Sequence, residues 1–271
     1  RVLFRSREDN RKEPVGIPTG FKTLDYYLSG LQKGIHLVAA EPGFGKTTFC
    51  LNIAVNSSKK GYPVLFLSFE EPIENLALKG LCLQTKTDLK KVKDGQIAPV
   101  VFRQKTQQAL SNMERIYFIE GGAKTTVPNI KAKALSIMNK YKKDKCLIIV
   151  DYTQKWASRI DSRRDFRHVV SALAGELRDL SKRLSSPVLA ISSQNRSDRG
   201  GAKLSSLKES GDLEYDGDSV WFLTENTDSQ TSSPARGINL VIEKNRYGDK
   251  GKIPLIFQPQ YGLFSQEARD W

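Results

Sequence analysis

The sequence predicts an α/β fold: a twisted, mostly parallel sheet with helices on both faces and an antiparallel C-terminal edge. Three observations predict it. Several short apolar runs are nearly continuous, as strands covered on both faces must be. Amphipathic helical stripes separate the early runs, so those strands are joined by crossovers and lie parallel. The last runs follow one another with no helical stripe between them, which leaves hairpins as their connections.

Taken in order, residues 1–15 are charged and poor in apolar side chains, and read as a linker or arm. Residues 16–271 read as one domain. Strands are expected at His36–Ala40, Val64–Phe69, Ile116–Ile119, Leu147–Asp151, Val188–Ser192, Ser219–Leu223, Ile238–Glu243 and Ile253–Phe257. A helical pattern opens after the first strand at Phe49, Cys50, Ile53 and Ala54. Another opens at Glu71-Pro72, since proline and acidic residues both suit a helix's first turn. Ile130, Ala134, Ile137, Met138 and Tyr141 form one stripe at helical spacing, and Val169, Leu173, Leu177, Leu180 and Leu184 form a second. Arg196–Leu207 and Thr224–Gly237, rich in Gly, Ser, Asp and Arg, read as loops.

Composition narrows the class. A hydrophobic content of 39% with 27% charged residues fits a soluble globular protein. No apolar run approaches the ~20 residues that span a bilayer, so no membrane role is expected. Arg1 is not a natural start, and a segment upstream of it is expected. Cys50, Cys82 and Cys146 sit among apolar residues without C-x-x-C spacing, which reads as buried, reduced thiols. His36 and His168 are far apart and give no basis for a zinc site. The net charge of +13 suggests a polyanionic partner, nucleic acid being the usual one.

The stretch from Ala39 to Phe49, AAEPGFGKTTF, carries the chemistry. It joins a strand to a helix through a glycine-containing loop, and such a loop aims successive backbone N–H groups at a nucleotide's phosphates. Glu41, Pro42, Gly43, Phe44, Gly45 and Thr48 belong to that cradle. Lys46 is expected to reach the terminal phosphates of ATP, and Thr47 to hold Mg2+. The pattern G-x-x-x-x-G-K-[ST] is met except that Ala40 stands at its first glycine.

Further elements complete an ATP site. The run CLIIVDY ends a buried strand in Asp151, which would hold the Mg2+ shell beside Thr47. VLFLSFEEP ends another strand in Glu70 and Glu71; Glu70 is favoured to orient the attacking water, with Glu71 a surface or capping residue. Gln194, at the end of AISSQ, would hydrogen-bond the γ-phosphate. Lys244 and Arg246 lie two residues apart on one face of a strand end, a pattern that suits charge delivery to a phosphate across a subunit interface and equally suits a solvated hairpin.

These segments together resemble the C-terminal motor domain of DnaB-type replicative helicases, a RecA-like ring of P-loop ATPase domains. GIPTGFKTLDYYLSGLQKG is similar to the family's entry segment, and AAEPGFGKTT to its P-loop, where Ala commonly replaces the first Gly. FLSFEEP, LIIVDYTQ and SSQNRS are similar to its catalytic-glutamate, Walker B and sensor segments, at Glu70, Asp151 and Gln194. LKESGDLEYDGDSVWFL resembles the family's loop that tracks single-stranded DNA, which implies DNA contacts at Lys208, Glu209 and Gly211, with Arg196, Arg199 and Lys203 adding positive potential. Lys208 stands where the family has Arg, and lysine offers a point charge in place of a bidentate fork. The family's arginine finger falls on Arg246, with Lys244 its companion.

The resemblance implies an ATP- and Mg2+-dependent DNA helicase motor, a homo-oligomeric ring, expected to be a hexamer, and partners that include single-stranded DNA, a primase and a helicase loader. A cytoplasmic, bacterial or phage replication setting is expected. The 271 residues do not include the family's helical N-terminal collar. KNRYG also resembles a motif of RadA-type recombination ATPases, which keeps a branch-migration ATPase as an alternative. A nucleotide-switched loading module without unwinding is a third.

Overall fold

Strand β1 (Gly34–Ala40) is buried along nearly its whole length, with Leu37 turned to one core and Val38 to the other. The computed structural model of the chain describes residues 15–122, 124–160, 166–193 and 216–266. Among them, β2 (Val64–Ser68), β3 (Ile116–Glu120), β4 (Leu147–Asp151) and β5 (Pro187–Ser193) join β1 in parallel. β6 (Ser219–Glu225) pairs parallel with β1, and β7 (Arg236–Asn245), β8 (Gly251–Gln258) and β9 (Leu263–Gln266) follow antiparallel. Among the described residues the sheet has nine strands, in the order β3-β2-β4-β5-β1-β6-β7-β8-β9.

Each expected strand is present, with ends moved by at most two residues. β6 and β7 both extend into the stretch read as a loop, so Asn226–Ala235 alone connects them. β9 was not expected. The segment 1–14 and the loop 196–207 lie outside the described residues.

Helices cover both faces. α1 (Lys22–Leu28), α2 (Lys46–Lys59), α3 (Ile73–Thr85), α4 (Leu89–Lys93) and α5 (Pro99–Met113) precede or follow β1 and β2. α6 (Val127–Tyr141), α7 (Thr153–Ile160) and α8 (Phe166–Leu184) complete the set. On one face Phe49, Ile53, Val38, Phe66 and Ile149 share a core; on the other Leu37, Leu65 and Ile148 meet Ile137, Trp156, Leu173 and Leu177. The two stripes read from the sequence are thus the inner faces of α6 and α8.

Cys50, Cys82 and Cys146 are buried and unbonded. His36 is buried too, its ring held between Ser219 Oγ at 2.8 Å and the Gln32 carbonyl at 2.9 Å; burial lowers its pKa to about 4, so it is a neutral core residue at physiological pH. No helix among the described residues is long and apolar enough to cross a membrane.

Candidate active site

A parallel sheet gathers the ends of its strands at one edge, and chemistry collects there. In register, Ser68 lies beside Asp151, and Ala40 beside Ser193, so the ends of β1, β2, β4 and β5 share that edge. The chain leaves β1 through Glu41–Gly45 and enters α2 at Lys46. Gly43 and Gly45 have φ of +86° and +81°, a left-handed backbone that favours glycine, and this geometry opens the loop ahead of the helix. The free N–H groups of the first turn of α2 therefore face the same space as the strand ends.

That space is a cleft of about 800 Å³. Pro42, Gly43, Gly45, Lys46, Thr47, Thr48, Glu70 and Asp151 line it, all expected at the site, and so does Glu71, which was expected to be a surface or capping residue. Glu41 and Phe44 are not part of the lining, and Phe44 packs against the core instead. Lys46 Nζ donates to the Ala40 and Glu41 carbonyls at 2.8 and 3.0 Å, folded over the loop it would serve. Burial lowers its pKa, while the negative charges of Asp151 and Glu70 act against that.

Asp151 is 1% exposed, and neither of its carboxylate oxygens has a hydrogen-bond partner of normal geometry. Burial raises its pKa to about 6; the nearby Thr47 hydroxyl pulls it down, Glu70 and Glu71 push it up, and Lys46 pulls it down. Two orphaned carboxylate oxygens beside a hydroxyl form a hard oxygen donor set, which fits Mg2+. The two glutamates are held differently. Glu71 pairs with Lys79 at 2.7 Å, and its backbone exchanges bonds with the Ser68 hydroxyl. Glu70 is half-exposed at the cleft and meets Lys155 at 3.3 Å.

Sequence reasoning missed the far wall. Arg236, Phe257 and Pro259 line the cleft from the antiparallel edge. Arg236 Nη2 donates to the Gly43 carbonyl at 2.9 Å, and its guanidinium lies over the Phe257 ring at 5.3 Å. Phe257 stacks on Phe264 with centroids 4.3 Å apart, and a Cβ on Gly45 would come within 3.2 Å of Phe264. Asn52 of α2 donates to the Gly262 carbonyl at 2.9 Å and accepts from the Phe264 N–H at 3.1 Å, which fastens the edge strands to the loop helix. Arg236 stood next to a glycine at the end of a presumed loop, and nothing local in the sequence marks it as a neighbour of Gly43.

Lys244 and Arg246 are not brought to this cleft. β7 runs antiparallel, Ser219 pairs with Asn245, and His36 pairs with Ser219, so Arg246 sits at the start of β1. From there to the chain's own loop is the length of β1, about 20 Å at ~3.3 Å per residue. Arg246 Nη1 binds Asp218 Oδ1 at 2.8 Å, and the other Asp218 oxygen accepts from the Ile35 N–H at 2.9 Å. Burial and the neighbouring Arg246 both lower the pKa of Lys244. Gln194, Arg196, Arg199, Lys203, Lys208, Glu209 and Gly211 lie outside the described residues.

The family model described as DnaB-like helicase C terminal domain matches residues 16–266. The replicative DNA helicase DnaB of Geobacillus stearothermophilus is 31% identical over 262 residues, which cover 93% of this chain and 57% of that relative. The chain therefore spans little more than half of that relative's length. Two solved structures share the fold. One, an ATPase domain, has a TM-score of 0.84 at 24% identity, covering 98% of this chain and 96% of that one. The other, a DnaB-like replicative helicase solved with attention to its interactions with primase, has a TM-score of 0.82 at 24% identity, covering 97% of this chain and 64% of that one.

Proposed function

The chain belongs to the DnaB-like helicase C-terminal domain family, and from that premise we propose that it is the ATP-hydrolysing motor of a replicative DNA helicase. The buried, unpartnered carboxylate of Asp151 beside the Lys46–Thr47 loop carries the reading. An unpaired buried charge is unfavourable in a free protein and is kept where a cation will meet it.

In this reading the N–H groups of the loop and Lys46 hold the triphosphate, and Asp151 and Thr47 hold Mg2+. The metal supplies charge neutralisation at the phosphate oxygens. Glu70 orients a water and accepts its proton as the water oxygen bonds to the γ-phosphorus and the bond to ADP breaks. Arg236 holds the loop's Gly43 carbonyl from the far wall. Gln194 senses the γ-phosphate and passes its state to the loop that follows. Lys208, Glu209 and Gly211, with Arg196, Arg199 and Lys203, grip single-stranded DNA.

The position of Arg246, a sheet-length from its own loop, supports a role only in a neighbour's site, with Lys244 beside it. A subunit that completes its neighbour's site requires a head-to-tail contact, which gives a ring where the rotation closes, and a hexameric ring is the assembly proposed here. Primase and a loader are the proposed partners of the assembled protein. The family match along nearly the whole chain favours this reading over the recombination ATPase and the loading module.

ATP turnover with and without single-stranded DNA, and unwinding of a forked duplex, test it. Turnover is expected to rise with DNA and to vanish in Lys46→Ala. Normal hydrolysis by Lys46→Ala would remove the loop assignment, and turnover indifferent to DNA would remove the motor.

A further inference from the structure

The carboxylate read as the water-activating group has a partner that the sequence did not point to. Lys155 Nζ lies 3.3 Å from Glu70 Oε1. We propose that Lys155 is a positioning residue for Glu70, holding that carboxylate toward the reacting water; the inference rests on the reading of Glu70 above.

The segments that carry the two residues are bolted together beside the ion pair. Phe69, just before Glu70, stacks on Trp156, just after Lys155, with ring centroids 5.0 Å apart and planes 19° apart. Arg159 of α7 donates to the Phe69 carbonyl at 3.1 Å and also to the Gly121 carbonyl. Trp156 Nε1 donates to the Thr125 carbonyl at 3.2 Å. The backbones of Glu70 and Lys155 are thus fixed relative to each other, and only side-chain torsions remain to be set.

The first turn of α7 is also tied to β5, the strand that leads to Gln194. Thr153 Oγ1 donates to the Ile191 carbonyl at 3.2 Å, and Gln154 Nε2 to Ser192 Oγ at 2.7 Å. Lys155 therefore stands between the strand that precedes the proposed phosphate sensor and the proposed base. The charge argument agrees. Glu70 shares its cleft with Asp151 and Glu71, and incoming phosphates add more negative charge. A half-exposed carboxylate in that field would swing into solvent, and a cation at 3.3 Å opposes the swing. Glu71 has its own cation in Lys79, and Lys155, whose Nζ also lies over the Tyr152 ring at 5.5 Å, is the cation beside Glu70.

The pair is exposed, so its effect is modest: about fivefold in rate, the upper range for surface ion pairs. The test measures steady-state ATP hydrolysis of the full chain with single-stranded DNA. Lys155→Met is expected to lower kcat about fivefold while KM for ATP stays within about twofold, because only the orientation of the water-activating group is lost. Lys155→Arg is expected to restore most of the rate. In a Glu70→Gln background, Lys155→Met is expected to remove nothing further from the residual rate. A wild-type kcat in Lys155→Met, or the same fold loss with and without Glu70, overturns the inference while the Glu70 reading stands. Wild-type turnover by Glu70→Gln overturns the reading of Glu70, and the inference with it.

Discussion

Replacing Asp151 by Asn is expected to stabilise the free protein while destroying its response to nucleotide. The carboxyl is buried, its oxygens lack partners, and burial moves its pKa from 3.8 to about 6. The unfolded chain releases that proton more readily than the folded one. Stability from this group is therefore fully present below pH 3.8 and is lost as pH rises to about 6. At neutral pH the loss is about 3 kcal/mol, from ~1.36 kcal/mol per pH step between the two pKa values. Asparagine removes the charge but leaves a buried amide short of partners, which costs about 1–2 kcal/mol. The net gain is then about 1–2 kcal/mol, or roughly 2–8 °C in Tm for a domain of this size. Thermal melts followed by circular dichroism at pH 7.5 and pH 4 provide the assay. The variant should melt above wild type at the higher pH and at or below it at the lower one, where the charge penalty has gone and the cost of the amide remains. MgATP should raise the Tm of wild type only. A variant that melts below wild type at pH 7.5, or a gap independent of pH, would show that the folded protein already satisfies Asp151 without a metal.

Three other outcomes test the surroundings of the cleft. Asn52→Ala strips partners from the Gly262 carbonyl and the Phe264 N–H, and should cost about 2 kcal/mol, seen as a Tm lower by roughly 4–8 °C. Arg236→Ala loses the bond to the Gly43 carbonyl and the contact with Phe257, so KM for ATP should rise about fivefold with kcat little changed. Arg246→Ala and Glu70→Gln should each be inactive alone, yet an equal mixture should regain turnover, since about a quarter of the interfaces in a random ring pair an intact Glu70 with an intact Arg246. A mixture as inactive as its components would remove Arg246 from its neighbour's site.

The parallel half of the molecule was legible because it is written in local pattern. An apolar run such as Leu147 to Val150, short and rich in β-branched residues, reads as a buried strand, and its final Asp151 marks the edge where ligands bind. The stripes of α6 and α8 fixed their inner faces in the same way. The antiparallel half resisted for a physical reason. β9 has only four residues, and only Phe264 among them is buried, so no alternation could announce it. Its place is decided by a tertiary fit, with Phe257 and Phe264 filling the space under Gly45 and Asn52 pinning the backbone at Gly262 and Phe264. The same holds for Lys155. Its partner is 85 positions away, and only the stacking of Phe69 on Trp156 makes them neighbours.

β7 shows what the antiparallel edge contributes beyond packing. Its first residue, Arg236, bonds the loop of its own cleft, and Arg246, one residue past its last, sits at the other end of the sheet. Strands are stiff along their length, and this one is paired on both sides, to β6 and to β8. A displacement of the phosphate loop therefore has a continuous path to the opposite edge, through a register shift at Glu243 and past the end of the β8 pairing at Ile242, provided Arg236 keeps its grip on Gly43. In the proposed ring that opposite edge faces the next subunit's ATP. The consequence can be checked in the Arg236→Ala variant: if β7 carries the coupling, its turnover should lose cooperativity in ATP as well as affinity. A Hill coefficient equal to that of wild type, beside a raised KM, would confine Arg236 to local support of the loop and leave the coupling to the packed helices.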